Sequence, residues 1–172
     1  MAILTAACSK NTATTTVPPV TNPIPMTEPT TEPTESREPS PAGAILTAYE
    51  RVRVLLAADE MKGVAEAARE IESSAKTASR VSTTTPHFTA IASSAAKLAG
   101  ASDLSAARDS FGEVSRRVIA LLASDKALAR GQFVYECPMV SGYKKWVQPS
   151  EDLQNPYMGK RMLACGGEST WQ

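Results

Sequence analysis

Between Leu104 and Leu121 the apolar side chains fall at steps of three and four: Leu104, Ala107, Phe111, Val114, Val118 and Leu121. Positions at that spacing line one face of an α-helix, whereas a strand would need a period of two. Ser102 or Asp103 stands where the N-cap of such a helix belongs. Three upstream segments carry the same signal. Ile45, Tyr49, Val52 and Leu56 mark a first helix that pauses near Asp59. Val64, Ala68, Ile71, Ala75 and Ala78 mark a second, with Gly63 weakening its start. Phe88, Ile91, Ala95 and Leu98 mark a third, with Pro86 in its first turn and Gly100 at its end. The expectation is an all-α fold. An antiparallel four-helix bundle over residues 44–130 carries an irregular, aromatic-rich C-terminal segment, 131–172, that completes the same domain.

The 172 residues suffice for one ordinary domain and a tail. Lys plus Arg and Asp plus Glu each number 18, so the chain is formally neutral, and no segment has the basic excess that phosphate binding needs. A nucleic-acid partner is therefore not expected. One histidine, His87, and three cysteines leave little for zinc or triad chemistry. His87, at a helix start, reads as a surface or packing residue. With no Gly-rich phosphate loop and no Cys-x-x-Cys pair, an enzyme is not expected.

Residues 9–43 hold eight of the twelve prolines and nine threonines, including the near-repeat from Thr27 to Glu35. Proline removes backbone donors, and the stretch offers few large apolar groups to bury, so it reads as an extended, disordered linker. In front of it, residues 1–8 end in Ala6-Ala7-Cys8, followed by Ser9. This resembles the lipobox of a bacterial lipoprotein signal, which implies Cys8 as the lipidated residue and a membrane anchor. Only seven residues precede Cys8, fewer than a signal's basic and apolar regions require. Either the true start lies upstream or the likeness is incidental.

The last quarter differs in kind. It holds six of nine aromatics, two of three cysteines and three of six methionines. In an extended segment Cys137 and Met139 would face one side; in a helical turn Met162 would align with Cys165 or Met158. Two thiols and two or three thioethers make a soft donor set that selects copper(I) or silver(I) over hard cations. The same two cysteines also suit a Cys137–Cys165 disulfide, with the methionines as packing. Residue chemistry leaves the two alternatives level.

Tyr135-Glu-Cys-Pro-Met139, Trp146, and Asn155-Pro-Tyr-Met-Gly-Lys-Arg-Met-Leu-Ala-Cys-Gly166 resemble a bacterial cell-envelope domain family of unknown function. The segment from Asp103 to Ser115 resembles that family's last helix, and the likeness runs over roughly residues 44–170. The family occurs in small lipoproteins and fused to adaptor subunits of heavy-metal efflux pumps of the resistance-nodulation-division class. Met158 departs from it, standing where a Phe is expected. Cys137, Met139, Met162 and Cys165 match its motif, and the resemblance implies an envelope context and copper or related metals. With the soft donor set, the expectation is a periplasm-facing protein that binds one copper(I) or silver ion through these four residues. Its implied partner is a heavy-metal efflux adaptor. The alternative is a non-enzymatic structural or interaction module with the Cys137–Cys165 disulfide.

Overall fold

The computed structural model describes residues 40–82 and 85–171. The lipobox, Cys8 and most of the Thr/Pro stretch lie outside the described residues. The first helix, α1 (Pro41–Ala57), begins three residues ahead of the expected boundary at 44. Ser40 supplies the reason. Its hydroxyl accepts from the Gly43 amide at 3.1 Å, and Pro41 sits at the first helical position, where its missing N–H costs nothing.

Helices α2 (Val64–Val81), α3 (Thr85–Ala99) and α4 (Leu104–Ser124) follow, each packed chiefly on its neighbour in sequence. The turn before α2 uses Asp59 at φ 57° and Gly63 at φ 94°. Asp103 caps α4, its carboxylate accepting from the Ala106 amide at 2.9 Å. Every apolar position expected on the four faces is buried except Leu104, which is partly exposed. Alanine dominates the buried face of α2, at 67, 68, 75 and 78, and small side chains there let flanking helices approach closely.

The C-terminal segment corrects the all-α expectation, for it contains a small sheet. Strands β1 (Phe133–Glu136), β2 (Lys145–Gln148) and β3 (Gly167–Glu168) lie in the antiparallel order β2-β1-β3. Tyr135 faces Trp146 across one pair and Glu136 faces Gly167 across the other. The molecule is mostly helical with a three-stranded sheet, and β2 packs on α4. Direct contact between α1 and α4 is slight. Tyr49 stacks on Phe111 at 5.0 Å, Phe111 meets Tyr157 at 5.7 Å, Tyr157 meets Trp146 at 6.0 Å, and Trp146 meets Tyr135 at 5.8 Å. A run of five rings thus passes from α1 through α4 into the sheet.

Two arginines fasten the tail to the helices. Arg53, on α1 and only 3% exposed, is chelated by Glu50 and donates to the Gln154 carbonyl at 2.8 Å. Arg108, on α4, donates to the Pro156 and Leu56 carbonyls, each at 2.9 Å, and pairs with Asp59. A guanidinium buried like Arg53 or half-buried like Arg108 needs such partners on several sides, and both sites supply them.

Candidate functional site: a thiol pair at the sheet edge

Cys137 directly follows β1. Its amide donates to the Lys144 carbonyl at 3.2 Å, and its own carbonyl accepts from Val140 at 3.2 Å, closing a turn over Cys137–Val140 with Pro138 at the second position. The segment is therefore a turn and not extended. Cys137 is fully buried, while Met139, two residues on, is 64% exposed. The turn separates two side chains that an extended backbone would have kept on one face.

Cys165 reaches Cys137 because Asn155 folds the intervening chain onto itself. The Asn155 side chain is fully buried and doubly occupied. Its Nδ2 donates to the Cys165 carbonyl at 2.7 Å, and its Oδ1 accepts from the amides of Tyr157 at 2.8 Å and Met158 at 3.0 Å. The Asn155 amide donates to the Leu163 carbonyl at 2.7 Å. A 3-10 turn, Gly159–Met162, occupies the loop between, and the Cys165 amide donates back to the Met162 carbonyl at 3.0 Å. The local turn joining Met162 to Cys165 is the one the spacing suggested. Met162 is nevertheless 37% exposed.

Gly166 completes the approach. Its φ is 143°, and a Cβ there would stand 2.9 Å from the Trp146 ring and 3.0 Å from the Glu136 carbonyl. Only a residue without a side chain lets the backbone pass so close to the sheet. As a result the side chains of Cys165 and Cys137 meet, both as free thiols. The neighbouring Cys137 thiol, and secondarily burial, push the Cys165 thiol up from its ordinary value. Beside them, hydrogen bonds from Lys144 and then Ser169 hold the Glu136 carboxyl below its ordinary value.

The four expected sulfur donors are thus only partly gathered. Cys137 and Cys165 come together. Met139 instead lines a surface groove of about 680 Å³ with Met158, Arg108, Arg116, Tyr143 and Arg161, among others, and neither cysteine nor Met162 belongs to that lining. His87 lies on α3, partly exposed. Among the described residues no group of three or more His, Cys, Asp or Glu side chains is arranged to hold a metal ion. No helix among them is long and apolar enough to cross a membrane.

In the sequence Asn155 was visible only as part of a motif, and Gly166 only as a motif residue and one of several turn-formers. An Asn ahead of Pro-Tyr is a residue type that binds its own backbone two and three positions on, which is what it does here. What these elements define is a mostly helical domain with a small three-stranded sheet and a pair of neighbouring thiols. No family model, no curated protein and no solved structure matches the chain.

Proposed function

We propose that this chain is a non-enzymatic bacterial cell-envelope domain, lipid-anchored at Cys8, that holds one copper(I) or silver ion between Cys137 and Cys165. In this reading it faces the periplasm and serves a heavy-metal efflux adaptor as an accessory. The single observation that supports a soft-ion site is the meeting of the two thiols. Thiolate sulfur is the donor type that soft ions select. Met139 and Met162 are exposed and would have to turn in toward the thiols to serve as outer donors. The envelope setting rests on the motif resemblance and the lipobox, not on the geometry.

Because both thiols must lose protons to bind, affinity should rise with pH, the more so since the Cys165 thiol is raised. The test is competition for copper(I) between fully reduced protein and a weak chelator. Cys137→Ser or Cys165→Ser should abolish tight binding, and Met139→Leu or Met162→Leu should weaken it while the fold survives. Reduced protein that takes no copper(I) from the chelator overturns the metal site.

The burial of Cys137 and the placement of Met139 in a groove that neither cysteine lines favour a second reading. In it the chain is a structural or interaction module stapled by a Cys137–Cys165 disulfide. The bridge would add about 3–4 kcal/mol on the chain-entropy argument. Reduction alone would then lower the melting temperature, and neither methionine would matter to metal affinity.

A further inference from the structure

The two thiols are not equivalent. Cys137 is fully buried, held in its turn by hydrogen bonds to Lys144 and Val140. Cys165 is partly exposed, on the segment that Asn155 holds closed. A reagent from solvent therefore meets Cys165 first, while Cys137 stands directly behind it. That arrangement is what a two-step thiol–disulfide exchange requires: one accessible sulfur to attack, and a second, protected sulfur to displace the product.

We propose that Cys165 is the attacking thiol and Cys137 the resolving thiol of a redox couple whose oxidant is a small-molecule disulfide. In the first step the Cys165 thiolate attacks one sulfur of the disulfide. The S–S bond of the oxidant breaks, a Cys165 mixed disulfide forms, and one small thiolate leaves. In the second step the Cys137 thiolate attacks the Cys165 sulfur. A Cys137–Cys165 bond forms and the second small thiolate leaves. The two protons given up by the cysteines end on the two small thiolates, so the dithiol is oxidised by two electrons and one disulfide is reduced to two thiols. Asn155 acts as a positioning residue: by binding the Cys165 carbonyl it keeps the mixed disulfide within reach of Cys137.

This inference rests on the thiol pairing used for the proposed function, but on no metal. The experiment uses metal-free, reduced, full-length protein carrying Cys8→Ser, so that the N-terminal thiol does not contribute, with oxidised glutathione as oxidant. By intact mass, the protein with both remaining cysteines should lose two hydrogens and keep no adduct. Adding Cys137→Ser should trap one glutathione adduct on Cys165, and adding Cys165→Ser should leave Cys137 unmodified. Asn155→Ser should slow resolution, so that the mixed disulfide accumulates. In case a variant fails to fold, native-state alkylation of the two-cysteine protein gives an independent reading. Cys165 should react about tenfold or more faster than Cys137, which is reached only through local opening.

Equal alkylation of the two cysteines, or an adduct on Cys137 in the folded Cys165→Ser protein, overturns the order of attack and leaves the metal site standing. Stable adducts on both cysteines with no internal bond overturn the pairing itself, and the metal site with it. A chain that closes its disulfide in the proposed order yet fails the copper(I) competition retains the redox couple and loses only the metal.

Discussion

The Tyr49 hydroxyl lies 2.7 Å from Ser115 Oγ, one of the few direct links between α1 and α4. Ser115 donates its own hydrogen bond to the Lys145 carbonyl at 2.9 Å, so Tyr49 is the donor to Ser115. In turn the Tyr49 oxygen accepts from the Val147 amide at 3.3 Å. Tyr157 donates to the same Lys145 carbonyl at 2.7 Å. Two helices, β2 and the tail are thus fixed by a few buried hydroxyls, and burial pushes the Tyr49 and Tyr157 phenols far up. Tyr49→Phe removes one donor and leaves the Val147 amide without this acceptor. The expected cost is about 1–3 kcal/mol, read as a lower denaturation midpoint. An unchanged midpoint would show that the hydroxyl network adds nothing to the fold.

Phe111 is the second ring of the aromatic run and is fully buried between Tyr49 and Tyr157. Phe111→Ala should cost about 3–5 kcal/mol, a large part of the roughly 5–15 kcal/mol a domain has in total. The protein should melt far lower or not accumulate in soluble form. A melting temperature within error of the parent would remove Phe111 from the centre of the core.

Asp59 joins Arg108 to the Lys160 amide, where a Cβ on Gly159 would collide with both the carboxylate and the guanidinium. The Arg108 hydrogen bond first, and the Lys160 amide next, hold its carboxyl below the ordinary value. The unfolded chain therefore takes up this proton more readily than the folded one. The pairing contributes stability above about pH 4 and loses it as pH falls through the depressed folded value. Asp59→Asn should lower the melting temperature at neutral pH, and its gap to the parent should close progressively below about pH 4. A gap that stays constant across that range would mean the charge on Asp59 is immaterial.

Gly166→Ala brings together a positive φ and a collision with the Trp146 ring and the Glu136 carbonyl. The expected cost exceeds about 1 kcal/mol, because alanine is incompatible with the native backbone there. It should also move Cys165 off Cys137. Disulfide closure followed by mass spectrometry should be slower than in the parent at a temperature where both are folded. Equal closure rates would show that the glycine is not what brings the thiols together.

The helices were legible because each carries a long apolar stripe with end signals, as with Asp103 ahead of Leu104 or Gly100 after α3. The onset of α1 was less so, since Pro41 and Gly43 read as linker until the Ser40 cap is seen to organise them. The sheet was hidden for a different reason. Its strands have four, four and two residues, too short for a period of two to emerge, and one is a Gly-Glu pair at an edge. At the site, residue chemistry identified the two cysteines that meet. It misplaced Met139, because a Pro in second position makes a turn where an extended run was assumed. The grip of Asn155 on Cys165 spans ten residues and no local pattern encodes it.

The order of strands carries a consequence for how the chain matures. β1, the central strand, takes its second partner from β3, residues 167 and 168, well after β2 in the chain. During synthesis from the N-terminus, all four helices and Cys137 emerge while the second edge of β1 and the partner sulfur do not yet exist. Until residues 165–168 have been added, Cys137 lacks the thiol and β1 the edge strand that stand beside them, so their docking can be followed as loss of Cys137 reactivity. A chain cut short before Cys165 would display that thiol to any quality-control protein that surveys exposed cysteines.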